Sequence, residues 1–212
     1  IAQTMTHYFA SPSVGPRASN GSPIYQYLYA LDACRTRYAL HVEPDILWYQ
    51  SRGVSWLREA GRFLDDHPRA VFVTPDAGPP QARNFVERWW GRALRPDAPG
   101  WQRNADITTR YFFCDLERLR AALPLEPAKP GEPLEHSLTH TFGRKGLESW
   151  CRAMPDAWAI HVLKHDEGFL GHLEELIAAV EAGQYPFVRG GCRWDLRTDG
   201  PHLRPWLETV RR

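Results

Sequence analysis

The sequence contains few cysteines and no long apolar run. Its four cysteines, Cys34, Cys114, Cys151 and Cys192, are widely spaced and form no Cys-x-x-Cys pair. This pattern favours reduced structural thiols and predicts a cytoplasmic protein. No stretch approaches the ~18 apolar residues of a membrane span, and no signal peptide is recognisable. The sequence therefore predicts no transmembrane segment.

An excess of charge of one sign is also lacking. Lys and Arg number 26 and Asp and Glu number 25, so the formal net charge is +1. Because binding to nucleic acid or to a membrane surface depends on an excess of positive charge, this balance gives no electrostatic basis for either. We therefore expect no nucleic-acid partner.

Several catalytic and nucleotide-binding motifs are absent as well. The sequence holds no Gly-x-Gly-x-x-Gly, no Walker A motif and no Gly-x-Ser-x-Gly. A Rossmann dehydrogenase and a serine hydrolase therefore have no support, and no internal repeat indicates a solenoid.

Aromatic residues and prolines, by contrast, are abundant. The chain of 212 residues holds nine Trp, eight Tyr and 18 Pro. Aromatic faces suit sugar rings as well as hydrophobic cores, and the prolines imply long ordered loops. The length and the ordinary hydrophobic content of 43% predict one domain over 1–212, with a loop over 1–21 and a C-terminal tail over 184–212.

The periodicity of apolar residues predicts alternating helices and strands. A helix is expected over 24–34, with Ile24, Leu28 and Leu31 on one face, and a strand follows over 38–42. Further along we expect a loop over 48–53, a helix over 54–66 and strands over 70–73, 108–114 and 158–162, with later helices over 135–142 and 168–183. The order helix, strand, helix, strand favours an α/β domain with parallel strands.

Two carboxylates follow the apolar strand over 38–42. Glu43 and Asp45 are separated by Pro44, and on an extended backbone both side chains can reach one divalent cation. Mg²⁺ and Mn²⁺ take oxygen ligands, usually one or two carboxylates together with phosphate oxygens. An isolated acid pair of this kind is also typical of a solvated turn in which the Asp caps the next element, and that alternative stays open.

A second polar cluster ends the strand over 158–162. His161 can complete a metal site, whereas Lys164 or His165 can neutralise a phosphate. A hydrogen-bonded structural histidine is the alternative interpretation.

Two further charged positions are candidates for chemistry. Glu135, next to His136 at the predicted start of a helix, can act as a general base on an acceptor hydroxyl or simply favour the first turn of that helix. Arg110, the lone charge in the predicted strand over 108–114, can bind a phosphate or form an ion pair.

The order of these features resembles a known family. The segments that carry the resemblance are Ile24–Leu31, Leu40–Asp45, Ser55–Leu57, Phe72–Pro75 and Thr109–Phe112. Together they resemble bacterial glycosyltransferases of the GT-A type, in the large family-two-like group, which place an Asp-x-Asp motif at the end of a central strand preceded by a helix. The resemblance implies a mostly parallel central sheet flanked by helices. The first strand–helix–strand unit of that fold, which holds the nucleobase, would lie before residue 1.

The resemblance also implies roles for individual residues. Glu43 takes the place of the first acid, which contacts the donor ribose or a metal-bound water. Asp45 takes the place of the second acid, which ligates Mn²⁺ or Mg²⁺ bridging a nucleotide diphosphate, and His161 falls at a third metal ligand. Glu135 would be the base of an inverting transfer to an unidentified acceptor. Arg110, Lys164 and His165 would bind the phosphates of a nucleotide-diphosphate sugar donor.

Two other functions compete with the glycosyltransferase hypothesis. One is a non-catalytic homologue that binds sugars or protein partners on the same scaffold without a metal requirement. The other is a metal-dependent hydrolase built on His41, Glu43, Asp45, His161 and His165, since alternation along a strand would place the first three on one side.

Overall fold

The computed structural model describes residues 1–10, 14–79, 98–127, 129, 131–163, 166–186, 195–196 and 203–210. The chain divides into two compact units. The first unit comprises 1–41, 60–74 and 103–150, and the second comprises 42–59, 75–102 and 151–212. The single domain expected over 1–212 stays a prediction.

Helices and strands alternate irregularly along the described part of the chain. The helices are α1 (Ala2–Phe9), α2 (Tyr25–Ala33), α3 (Trp56–Asp66), α4 (Leu116–Ala121), α5 (Leu134–Lys145), α6 (Glu167–Leu170), α7 (Leu173–Glu181) and α8 (Leu203–Val210). The strands are β1 (Tyr38–Val42), β2 (Ile46–Gln50), β3 (Ala70–Ala77), β4 (Trp101–Arg103), β5 (Tyr111–Asp115), β6 (Glu148–Arg152), β7 (Ala157–Val162) and β8 (Asp195–Leu196). The predicted α/β class is therefore confirmed.

The strands pair in a mixed pattern that is mostly antiparallel with some parallel pairing. One path of paired strands has the order β1-β5-β3-β6-β4, and β3 runs antiparallel to β5, with Phe72 opposite Cys114. In the second unit β7 is antiparallel to β2 and parallel to both β8 and the last residues of β3.

The expectation of a mostly parallel sheet was therefore wrong. It assumed that a helix follows each strand and carries the chain back to the same end of the sheet. Instead, β2 begins at Ile46, immediately after the Glu43–Asp45 segment that follows β1. A connection this short leaves no room for a parallel crossover.

Other differences concern the segments with weak periodicity. A strand, β2, occupies the first half of the predicted loop over 48–53, and a helix, α1, forms within the predicted loop over 1–21. The predicted helix over 168–183 is two helices, α6 and α7. The expected tail over 184–212 contains β8 and α8.

The core of the first unit confirms the predicted apolar face of α2. Ile24, Leu28 and Leu31 are all buried there. The helix α1 adds Met5, Tyr8 and Phe9, and the strands add Phe72 and Phe112, whose rings stack with centroids 4.6 Å apart. Because these side chains leave water together, each large one contributes roughly 1.5–3 kcal/mol of burial free energy.

The core of the second unit lies on one face of β7. Trp158, Ile160 and Val162 point into it and pack with residues of α7 and α8, including Leu176 and Trp206. Because side chains alternate along a strand, His161 lies on the opposite face of β7. The apolar pattern of this strand thus sets the direction of its one ionisable residue.

Two further observations concern the cysteines and the helices. The described cysteines Cys34, Cys114 and Cys151 are thiols and form no disulfide with one another. Every helix in the described ranges is too short or too polar to cross a membrane.

Candidate metal centre

A tight turn between β1 and β2 carries the acid pair. The Ile46 N–H donates to the Glu43 carbonyl oxygen at 3.3 Å, which closes a four-residue turn with Pro44 at its second position. Proline is favoured there because its ring fixes φ near the value the turn needs. The two acids therefore lie within the turn, at its first and third positions, and do not continue the extended backbone of β1.

The second unit holds this turn against β7. The Val162 N–H donates to the Asp45 carbonyl oxygen at 3.0 Å, and Ile46 lies opposite His161 in the antiparallel register of β2 and β7. The backbone thus brings the residue after Asp45 directly across from His161. The hydrogen bond between the turn and β7 joins main-chain atoms, so it does not depend on the carboxylates of Glu43 and Asp45.

Three predicted metal ligands converge at this point. One ligand atom from each of Glu43, Asp45 and His161 lies within 4.8 Å of the others. The Asp45 Oδ2 atom is 3.3 Å from Nε2 of His161, and the two side chains are only 16% and 11% exposed. The structure therefore brings together the three residues that the sequence analysis singled out, while their role as ligands stays a prediction.

A fourth member of the cluster, Asp195, was missed by the sequence analysis. Its Oδ1 atom accepts a hydrogen bond from Nδ1 of His161 at 2.8 Å, and its Cα pairs with that of His161 across parallel strands. The only local signal was an acid beside an apolar residue, Leu196, inside a segment interpreted as a tail. The pairing joins residues 34 positions apart, so sequence periodicity could not reveal it.

The donor atoms of the cluster suit a cation. Among the described residues, one imidazole lies among the carboxylates of Glu43, Asp45 and Asp195. Carboxylate oxygens are the hard ligands that divalent cations such as Mg²⁺ take. Oxygen ligands with one imidazole form a donor set suited to Mn²⁺ and similar ions. The residues present therefore fit the predicted metal.

Glu135 and Arg110 lie in the first unit. The Thr109 hydroxyl donates to Oε1 of Glu135 at 2.6 Å, and the Ile107 N–H donates to the hydroxyl of Thr139. These bonds tie the segment before β5 to α5, and the bond from Thr109 orients the Glu135 carboxylate. Arg110 precedes β5, which begins at Tyr111, so the prediction that it lies within the strand was wrong.

Three predicted site residues remain. Lys164 and His165, the other predicted phosphate ligands, lie outside the described residues. His41, a ligand in the hydrolase hypothesis, stacks on Phe112 with ring centroids 5.2 Å apart and meets the edge of Tyr27 at 4.9 Å. These contacts hold its ring against aromatic side chains of the first unit.

Sequence comparison adds no assignment to this geometry. No protein-family model matches the chain, and no curated protein matches it significantly.

Proposed function

We propose that this chain is a metal-dependent glycosyltransferase that moves a sugar from a nucleotide-diphosphate donor to an acceptor hydroxyl. The observation that carries the proposal is the convergence of Glu43, Asp45 and His161 within 4.8 Å. The same convergence was expected from the resemblance to GT-A enzymes. The order of α2, β1 and the acid pair also agrees with the order that the resemblance describes.

The proposed roles of the metal ligands follow the geometry of the second unit. Asp45 and His161 hold the cation, since their facing atoms are already 3.3 Å apart and largely shielded from water. Glu43 completes the protein's share of the ligands, which leaves the other coordination positions to water and diphosphate oxygens. When bound, Mn²⁺ or Mg²⁺ acts as a Lewis acid that stabilises the departing diphosphate.

Glu135 is the proposed general base, and transfer to the acceptor would proceed with inversion. Its carboxylate is oriented by the 2.6 Å hydrogen bond from Thr109, and a positioned Glu side chain is among the groups that serve as general bases. Arg110, Lys164 and His165 are the proposed partners of the donor phosphates. The thiol state of the described cysteines supports a cytoplasmic setting for this reaction.

Binding of a nucleoside diphosphate is the direct test, because it does not require a known acceptor. The purified chain is titrated with UDP, GDP, ADP and CDP in Mn²⁺ and again in EDTA. We expect at least one nucleotide to bind at least tenfold more tightly with Mn²⁺. An Asp45→Ala variant should lose this difference, and the matched control Glu181→Gln, which alters an exposed carboxylate at the end of α7, should keep it.

Incubation with the corresponding nucleotide sugar then separates the competing functions. A transferase releases the diphosphate faster when the right acceptor is added. Donor hydrolysis that is equally fast in water alone, with any acceptor, would favour the metal hydrolase. Metal-independent binding, or no binding of any nucleotide, would overturn the proposal and favour a binding protein.

A further inference from the structure

The His161 ring lies between two carboxylates that have different tasks. We propose that Asp195 is a positioning residue, which fixes the Nδ1 side of His161 and thereby commits Nε2 to the metal. This inference rests on the metal site of the proposed function and adds a residue to it. It concerns binding of the metal alone, before any nucleotide or sugar is involved.

The two contacts of the imidazole lie on different ring nitrogens. Nδ1 is 2.8 Å from Oδ1 of Asp195, and Nε2 is 3.3 Å from Oδ2 of Asp45. Because a carboxylate can only accept a hydrogen bond, the hydrogen of the first contact belongs to Nδ1. The lone pair available to a cation is then the one on Nε2, which already faces Asp45.

Asp195 therefore acts through His161 and does not contact the ion itself. The ring nitrogens point away from each other, so a carboxylate on Nδ1 is on the far side of the imidazole from a cation on Nε2. A carboxylate in this place orients the ring and raises the basicity of the ligating nitrogen. The bond is charge-assisted and thus stronger than one to a neutral acceptor.

The backbone around Asp195 fixes its direction independently of the side-chain contact. Leu196 is fully buried, and its carbonyl oxygen accepts from the Leu163 N–H at 2.9 Å. Since neighbouring side chains on a strand point to opposite faces, burial of Leu196 turns Asp195 toward the face that carries His161. Replacing Asp195 should consequently leave β8 in place.

The test measures metal affinity by the electron paramagnetic resonance signal of free Mn²⁺, with no nucleotide present. We expect Asp195→Ala to weaken Mn²⁺ binding about 10–100-fold, the range typical of an outer partner of a ligating histidine. Asp195→Asn should lose less, because its carboxamide oxygen still accepts from Nδ1. Glu181→Gln is again the control, and it should bind as the wild type does.

Competition of Zn²⁺ and Mg²⁺ against Mn²⁺ provides the readout that a merely structural role would not move. Imidazole suits zinc, whereas carboxylates and water suit magnesium. A misdirected imidazole should therefore weaken Zn²⁺ binding more than Mg²⁺ binding and lower the ratio of the two affinities. Equal weakening of both ions, accompanied by a lower melting temperature, would mean that Asp195 only stabilises β8 and would overturn the proposal.

Three other results would also overturn it. Unchanged Mn²⁺ affinity in Asp195→Ala would show that His161 needs no partner, and a loss as complete as in Asp45→Ala would make Asp195 a ligand. A wild-type chain that binds no Mn²⁺ would refute both this inference and the metal site. Intact metal effects without any nucleotide binding would refute the glycosyltransferase alone.

Discussion

Replacing Asp115 should destabilise the first unit strongly, because its carboxylate both caps a helix and pairs with an arginine. It ends β5 and caps α4, and its side chain is only 1% exposed. Oδ1 accepts from the N–H groups of Glu117 and Arg118, each at 3.1 Å. Oδ2 accepts from Nε and a terminal nitrogen of Arg37 at 3.1 and 3.0 Å.

The size of the effect follows from these contacts. Loss of a side-chain N-cap costs about 1 kcal/mol, and loss of hydrogen bonds between charged groups costs roughly 1.5–3 kcal/mol. The second figure belongs at its lower end, since Arg37 is 41% exposed and water can replace part of what it loses. Asp115→Ala should therefore lower the free energy of unfolding by about 3 kcal/mol.

A pair of variants separates the two contributions. Asn caps helices as well as Asp does, so Asp115→Asn should keep the cap. Its NH2 group would replace Oδ2 and cannot accept from Arg37, so the variant should lose these two hydrogen bonds together with the charge, at a cost of about 1–2 kcal/mol. Glu117→Ala, which alters an exposed side chain in the first turn of α4, is the matched control and should change stability by less than about 0.5 kcal/mol. Urea unfolding followed by circular dichroism measures all three. If Asp115→Ala were no more destabilised than the control, the hydrogen bonds of this carboxylate would not be what stabilises the strand end.

Two further predictions concern metal binding and alkaline pH. Mn²⁺ at 100 times its dissociation constant should stabilise the folded chain by about 2.7 kcal/mol, which raises the melting temperature by roughly 5–10 °C. EDTA should reverse this shift. If Mn²⁺ raised the melting temperature of Asp45→Ala as well, the metal would bind elsewhere. Burial raises the pKa of Tyr8 to about 12. Between pH 10 and pH 12 the unfolded chain therefore loses a proton that the folded chain keeps. The free energy of unfolding should fall by up to about 1.4 kcal/mol per pH unit because of this residue. Tyr8→Phe should make that decline shallower in urea unfolding at pH 9, 10 and 11, whereas an unchanged slope would mean that other groups cause the decline.

Local patterns predicted the elements whose apolar residues follow a clear period. The face of α2 formed by Ile24, Leu28 and Leu31 repeats at helical spacing, and it is the face that is buried. The strand over 38–42 was placed correctly, and that over 158–162 began one residue later than β7. Met5, Tyr8 and Phe9 in α1 have the same spacing. A loop was nevertheless predicted over the whole segment, because the residues that follow are rich in Ser and Pro.

What the sequence could not predict depends on pairing between distant segments. Strand direction in a mixed sheet is decided by which edges meet, and the helix–strand alternation was a poor guide because β2 follows β1 without a helix. The candidate site likewise combines residues that the sequence singled out with one that it did not. The acid pair and His161 stood out as ionisable groups at the ends of apolar runs, whereas Asp195 became recognisable only once β8 was paired with β7.

The alternation of side chains along β7 produces both the hydrophobic core and the candidate metal centre of the second unit. Trp158, Ile160 and Val162 occupy one face of β7, and this leaves His161 on the other face. Leu196 does the same for Asp195 on the parallel strand β8. A slip of one residue in either strand would expose apolar side chains and separate His161 from Asp195 at once. The free energy that fixes the register of the core therefore also fixes the orientation of the imidazole. No separate structural element is needed to orient the ring toward a cation.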